Sequence, residues 1–532
     1  MNKNEQRRTL QSTWKIAVAI AACVLLFLSI LAFIIPLIFA ITPAFRTSGK
    51  ISGNILYITA FTVAQALCSL TIALAIGVCG AYFVANRNFK GKRFLISSSV
   101  IPTSLPALIM ALGYIQVFGL NGLYNKILCN VFSLDEGPIK FLYSLWGIVL
   151  AQGFYNVPLV IQAVGRTWQH LGKDEEYSAY LLGASRKKVF FTITLWKLLP
   201  SIGGVAIPVF LYCFFSFMII LMFGSPGIAT LETEIFHAGR SVLNFKSAAI
   251  LSLIETSIAF LVLFIYSQIE KKSEKVSGIS FYNDFTEQKK LSKKDIIPFG
   301  ILIILLLGFF YIPLLSIIKG AWNGWKKLFS YRSFFPSLIT TVKTGSCTAL
   351  ICTVTAFTYS VLIRKHHGTK KERILKNLAL LPMAVSSVVL GIGFIRCIST
   401  GKFVHLVFAQ SALLWPFAFK QLNAGVISIP EETLNAANIL SSKLDTIFKV
   451  MIPQSKETIF STLALTFSLS AGEAALPLVL SIPNYTSLSL LIYRLSSSYR
   501  FSEACAVAIT QALLCLVISL ILQEKKTCHT WK

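Results

Sequence analysis

The sequence predicts an all-α membrane protein with about twelve transmembrane helices, arranged as two parallel six-helix repeats. Three observations predict it. Of 532 residues, 55% are hydrophobic and only 13% are charged, about half the charge of a soluble domain. The apolar residues fall into twelve runs, each long enough to cross about 30 Å of hydrocarbon as a helix. Polar landmarks of the first half recur in the second.

Residues 1–15 are basic through Lys3, Arg7, Arg8 and Lys15. The apolar run that follows, Ile16–Ile41, exceeds the roughly 7–15-residue core of a signal peptide, so it reads as a retained first span. Further runs lie near 55–85, 94–118, 141–164, 199–223 and 247–269, which completes a first half over 1–269. Residues 270–295 have no apolar period and read as a hydrophilic cytoplasmic linker. The second half, 296–532, carries runs near 296–318, 336–363, 374–395, 403–427, 457–481 and 501–522. Helix is the form expected of each, because lipid offers the backbone no hydrogen-bond partner.

The net charge is +27. In a soluble protein that excess would suggest nucleic acid. Here the Lys and Arg sit in short loops between apolar runs, where they set topology, and no nucleic-acid partner is expected. With the N-terminus placed in the cytoplasm, 34 of the 49 Lys and Arg fall in cytoplasmic segments, so both termini are expected inside. The eleven cysteines lie mostly inside apolar runs and the six histidines are scattered, so neither a disulfide framework nor a metal centre is expected. No Gly-x-x-x-x-Gly-Lys-Ser/Thr phosphate loop and no catalytic cluster of His, Asp and Glu occurs. The chain is therefore expected to be no enzyme and to hold no cofactor.

The repeat shows in four pairs of segments. Pro102 through Ile115 matches Pro382 through Ile395 at an offset of 280, and Ser178-Ala179 matches Ala436-Ala437 at 258. Thr230-Leu231 with Ile235-Phe236 matches Ser487-Leu488 with Ile492-Tyr493 at 257, and Phe245–Ala249 matches Phe501–Cys505 at 256. A long outer loop at 119–140, short in the second half, accounts for the fall in offset. Parallel repeats imply a pseudo-two-fold axis along the membrane normal and a pathway between the halves.

Two polar, helix-forming loops stand at matching places on the cytoplasmic side, at 173–202 and 429–453. Asp174, Glu175 and Glu176 open the first, as suits a helix N-terminus, and Gly183-Ala184-Ser185 supplies a turn. Pro430, Glu431 and Glu432 open the second, Ser441-Ser442 replaces the glycine turn, and Pro453 closes it. A small helix of this kind, lying on the cytoplasmic face and joined to two spans, can dock on a soluble partner and pass on its motion.

These loops resemble the EAA loop of ABC-importer permeases, whose pattern is Glu-Ala-Ala, three residues, Gly, nine residues, Ile-x-Leu-Pro. Ser178 and Ala179 take the alanine places, Gly183 the glycine place, and Ile193 and Leu195 the Ile and Leu places. Tyr177 stands at the glutamate place, with Glu176 one residue early, and Trp196 stands where proline is usual. The second copy keeps Ala436, Ala437, Ile452 and Pro453, has Asn435 for Glu and Ser441 for Gly, and runs one residue short. Nearly the whole chain resembles the fused two-half permeases of thiamine and ferric-iron importers, and Phe223–Ile250 and Ser489–Ile509 look especially like thiamine permeases. The resemblance implies a bacterial inner-membrane permease that moves a small solute into the cytoplasm. Its partners would be two ATP-binding subunits, which hold the ATP, and a periplasmic or lipid-anchored solute-binding protein. Glu176, Ser178, Ala179, Gly183 and Ala184, with Glu432, Ala436, Ala437 and Ser441, would then couple to the ATPase. The loss of the second glycine turn leads us to expect unequal docking.

Ionisable groups inside a membrane are costly and mark function. Glu473 stands out in the fifth run of the second half, where the first half has Ser216. Glu473, Ser216, Phe215 and Ser470 are the candidate pathway residues, with aromatic rings able to stack on a cationic solute. Glu255 and Lys343 are further intramembrane charges, Lys343 placed to snorkel outward. An ion-coupled twelve-helix secondary transporter is the alternative reading, and it would have to draw its coupling from these few groups.

Overall fold

The structure is a computed structural model that describes residues 3–46, 54–98, 105–224, 228–277, 289–329, 331–398 and 401–523. Among these, ten helices are long and apolar enough to cross a membrane, or eleven if one bent pair counts as a single span. Each of the twelve expected runs has a helical counterpart, so the all-α membrane class is borne out. Two of them are not uninterrupted spans. The run at 374–395 is Lys370–Ala384 followed by Ser387–Cys397, bent by 84°. The run at 457–481 is the 17-residue helix Lys456–Gly472 and, after a break, Ala475–Leu480. A third, 199–223, divides into Leu195–Phe214 and Phe217–Phe223.

The breaks have local causes. Val385 and Ser386 are extended, and the Ser386 hydroxyl caps the next helix by accepting from the Val389 amide at 3.3 Å. Glu473 is extended too, and its Oε1 accepts from the amides of Ala475 at 2.9 Å and Leu476 at 3.1 Å. Ser216 leaves helical geometry at the repeat-equivalent place. Side-chain caps of this kind let a helix stop at membrane depth, because the freed amides regain partners.

The repeat is visible as matched hydrogen bonds. The Leu231 amide donates to Thr62 Oγ1 at 3.0 Å, and the Leu488 amide donates to Thr341 Oγ1 at 2.8 Å. Ser69 bonds Gln152 at 3.1 Å, and Thr348 bonds Gln410 at 3.3 Å. In each half, the long helices Ile55–Asn86 and Phe334–Arg364 thus pack along Leu145–Gln169 and Phe403–Ile427 respectively. In the first pair small residues bring the helices close: a Cβ at Gly80 would fall 2.6 Å from Ile161, and one at Gly77 would fall 2.6 Å from Val160 Cγ1.

The first helix of each half crosses to the other half. Pro36 of the helix Lys3–Ile41 presses its carbonyl on Gly393, and Arg396 donates to the Phe39 carbonyl at 2.6 Å. Reciprocally, the Pro313 carbonyl presses on Gly113, and Tyr114 donates to the Phe309 carbonyl at 2.8 Å. Only a residue without Cβ admits such approach.

The helix Phe245–Ser277 runs eight residues into the segment expected to be linker. Residues 278–288 of that segment, like the Ile101-Pro102 end of the first repeat match, lie outside the described residues. Lys289-Lys290 then pairs in parallel with Arg87-Asn88, and Arg87 donates to Asp295 at 2.7 Å. The start of the second half is therefore pinned to a turn of the first.

The crossed helices give a test. Gly393→Val forces the Pro36 carbonyl aside and should lower the melting temperature of the detergent-solubilised protein by a few degrees, as overpacking of about 1–3 kcal/mol does. Gly204→Ala, where nothing lies within 4 Å of the added carbon, should leave it unchanged.

Candidate functional site

Each of the two polar loops folds into the same succession of pieces. In the first, the helix Asp174–Leu181 starts on three acidic residues, which complement the positive end of its dipole. Gly183, at φ +82°, turns the chain, and Ser185 caps the short helix Arg186–Val189. A π turn over Phe190–Thr194 leads into the next span. In the second, the helix Glu431–Leu440 is followed by extended Ser441, and Ser442 caps Lys443–Thr446 by accepting from the Asp445 amide at 3.2 Å. A π turn over Ile447–Met451 follows. The missing residue of the second loop is thus absorbed in the turn, where extended Ser441 replaces a left-handed glycine.

The expected coupling residues divide into two roles. Glu176 accepts from the Thr194 hydroxyl at 2.5 Å, and Glu175 pairs with Lys197 at 2.8 Å. These acids tie the loop helix to the head of its own span. Ser178 turns its hydroxyl back to the Asp174 carbonyl at 2.8 Å, and Ser441 does the same to Ala437 at 2.8 Å. Ala179, Ala184 and Ala437 are half-buried against the loop, while Gly183, Glu432 and Ala436 are exposed.

What the motif pattern did not single out is more exposed still. Leu181 and Leu182 are 89% and 88% exposed, and Ile439 and Leu440 are 84% and 86% exposed. These pairs hold equivalent positions at the end of each loop helix. Four large apolar side chains are thus displayed in matched pairs, one pair on each loop. The signal was present in the sequence as Leu-Leu and Ile-Leu beside the turns, but apolar neighbours on every side hid it.

The second loop is also held by the first helix of the chain. Lys15 meets the Asp445 carboxylate at 2.5 Å, with Lys449 at 3.3 Å. Hydrogen bonds from Lys15, Ser442 and Lys449 hold that carboxyl down to about 2, so the contact stays ionic under all physiological conditions. Arg364 clamps the loop entry by donating to the carbonyls of Val426 and Ile429. A largely apolar cavity of about 800 Å³ lies between this loop, the first helix and Phe334–Arg364, reached by Val18, Phe357 and Leu434.

Between the halves, the helix breaks gather polar groups. Gly472 packs on Pro106, so the broken helices of the two halves touch. Glu473 lies at that junction with Oε1 engaged as a cap. Ser216 is buried at its own break, and Phe215 is half-buried against Phe214 at 5.4 Å between ring centres. Ser470 is buried and donates to Gln410 at 2.6 Å, joining two helices of the second half. Lys343 lies on an exposed face. Glu255, by contrast, is fully buried and accepts from Ser386 at 3.1 Å. The sequence reading missed Glu232, taking it for part of an outer loop. It lies on the buried helix Leu231–Phe236 beside Glu255.

The site thus combines two matched loop helices with a polar junction between the two halves of a helical membrane protein. The chain belongs to the family described as binding-protein-dependent transport system inner membrane component, whose model matches residues 73–275 and 356–523. It is similar to the thiamine transport system permease protein ThiP of Brucella abortus, at 24% identity over 87% of this chain and 86% of the relative. The ThiP proteins of Haemophilus influenzae, at 24% identity over 86% of both chains, and of Escherichia coli, at 23% over 88% of both, are alike to a similar degree. Family membership removes the ion-coupled secondary transporter as a reading.

The turns can be tested apart from transport. At Gly183 any side chain meets open space but must adopt a left-handed backbone, at about 1–2 kcal/mol. Gly183→Ala should therefore speed hydrogen exchange of the amides in 174–182, whereas Ser441→Ala, which strains no backbone and loses only the hydroxyl's bond to the Ala437 carbonyl, should change 431–440 less.

Proposed function

We propose that this chain is the transmembrane subunit of an ATP-driven importer that carries thiamine into the bacterial cytoplasm. Thiamine is favoured over ferric iron because relatives named for thiamine transport match nearly the full length of both halves. In this reading two copies of an ATP-binding subunit sit on the cytoplasmic face, one on each loop, and a solute-binding protein delivers from outside. Both termini are cytoplasmic, as the distribution of Lys and Arg supports. ATP is held by the partner subunits.

The observation that carries the reading is the matched pair of exposed apolar tips, Leu181-Leu182 and Ile439-Leu440. Burying one such side chain contributes about 1.5–3 kcal/mol, so each tip can anchor one partner. The acids behind the tip, Glu175 and Glu176, hold the docking helix to the next span. Rotation of the docked subunit is thereby delivered to the broken helix that ends at Ser216. On the second side the same push reaches Glu473, and through Lys15 it also reaches the crossed first helix.

In the reconstituted complex, Leu182→Asp should lower ATP hydrolysis stimulated by the loaded binding protein about tenfold or more. Leu440→Asp should do so as well, and the ratio of the two losses measures how unequal the docking is. Wild-type stimulation in both variants would remove the docking role. Gly183→Asp, which adds a charge beside the first tip and strains its turn, should also abolish the stimulation while leaving the chain folded.

A further inference from the structure

Glu232 and Glu255 are 1% and 0% exposed. They lie on consecutive elements of the first half, the helices Leu231–Phe236 and Phe245–Ser277. Glu255 is ten residues into its helix, roughly 15 Å from the outer end at about 1.5 Å per residue, which is mid-membrane. The Ser386 hydroxyl, at the broken helix of the second half, gives its one proton to Glu255 Oε2 at 3.1 Å. That leaves Glu255 Oε1 and both oxygens of Glu232 buried without a hydrogen-bond partner. Ser386 also lies close to Glu232, though its one proton is committed to Glu255, and Glu473, across the junction, is within electrostatic reach of Glu232.

The second half shows what the architecture itself requires at these places. The repeat offsets of 257 and 256 carry Glu232 and Glu255 onto Ser489 and Gln511. There Gln511 Nε2 donates to Ser489 Oγ at 2.7 Å and to the Ala471 carbonyl at 2.7 Å, and Ser489 donates to that carbonyl at 2.6 Å. A neutral pair therefore suffices to join these helices. The first half carries two carboxylates instead, with three oxygens unpartnered against one, Gln511 Oε1, in the neutral twin. Adjacent buried carboxylates are costly without a positive partner, and a cost absent from the twin site calls for a ligand.

We propose that Glu232 and Glu255, with Ser386 beside them and Glu473 at the edge, form a transient binding site for an organic cation on the route between the halves. The site sits at the bilayer midplane on the junction of the repeats, where transporters of repeated architecture hold their solutes. It is closed to solvent in this conformation, so loading requires the halves to part. The inference rests on the thiamine reading above: the thiazolium ring of thiamine carries a fixed positive charge that two carboxylates can face without donating a hydrogen bond.

The twin site supplies a variant expected to assemble. Glu232→Ser combined with Glu255→Gln installs the pair found in the second half. In proteoliposomes holding the full complex, it should retain ATP hydrolysis stimulated by the binding protein and lose thiamine uptake about tenfold or more. Uptake within twofold of wild type, or a parallel loss of uptake and stimulated hydrolysis, would overturn the site. A measurement on the wild-type complex needs no variant. Dicyclohexylcarbodiimide labels carboxyls in apolar surroundings, and thiamine should slow labelling of the peptide carrying Glu232 under turnover. An unchanged labelling rate would also count against the site. Wild-type proteoliposomes that take up no thiamine would instead refute the substrate reading, a result distinct from either.

Discussion

Lipid supplies no hydrogen bonds, and this constraint shapes the whole molecule. Long uninterrupted helices satisfy it within themselves, as Ile55–Asn86 and Phe334–Arg364 do over 32 and 31 residues. A helix can stop inside the membrane only where the chain itself supplies the lost partners. The breaks at Ser386 and Glu473 meet that condition with their own side chains, and they do so on the junction between the halves. The constraint thus concentrates polar groups on one surface, which is the surface a solute must pass.

The crossed first helices tie the halves together without closing that junction. Pro36 on Gly393 and Pro313 on Gly113 are contacts of backbone with backbone, rigid because no side chain can rotate to relieve them. Each half therefore carries a strut from the other along its outer side. The strut of the first half carries Lys15, which grips Asp445, while that of the second begins at Asp295 and grips Arg87. Each loop is braced against the bundle, the first by Glu175 and Glu176 on its own span and the second by Lys15 of the first helix. The two loops turn by unlike means, a left-handed glycine in one and an extended serine in the other, yet present the same apolar tip.

Much of the fold was legible because the membrane imposes a simple pattern. The twelve apolar runs, the repeat offsets and the position of both loops follow from hydropathy and from Lys and Arg placement, which depend on each residue's own transfer energy and not on its neighbours. Of the matched hydrogen bonds Thr62–Leu231 and Thr341–Leu488, Leu231 and Leu488 fall at the sequence offset of 257, and Thr62 and Thr341 fall within one residue of the offset of 280. The sites were less legible. Glu176 carries the expected acid of the loop motif, but its carboxylate faces Thr194 and serves as a tether. Ser470 sits one turn from Glu473 in the chain, but its hydroxyl belongs to the contact with Gln410. Glu232 looked like a loop residue because the helix that buries it is only six residues long, too short to register as an apolar run.

The sequence by itself determined that this is a helical membrane protein of two repeated halves, with two matched polar loops among the segments richer in Lys and Arg. Composition and period decide those features, since each span must satisfy lipid on its own. Only the tertiary structure decided where the spans break, which half each first helix supports, and which carboxylates meet. Those outcomes depend on contacts between residues more than a hundred positions apart, as Glu255 with Ser386 and Lys15 with Asp445 are. No local pattern encodes such contacts, because the energy that selects them is that of packing and of partners found across the junction.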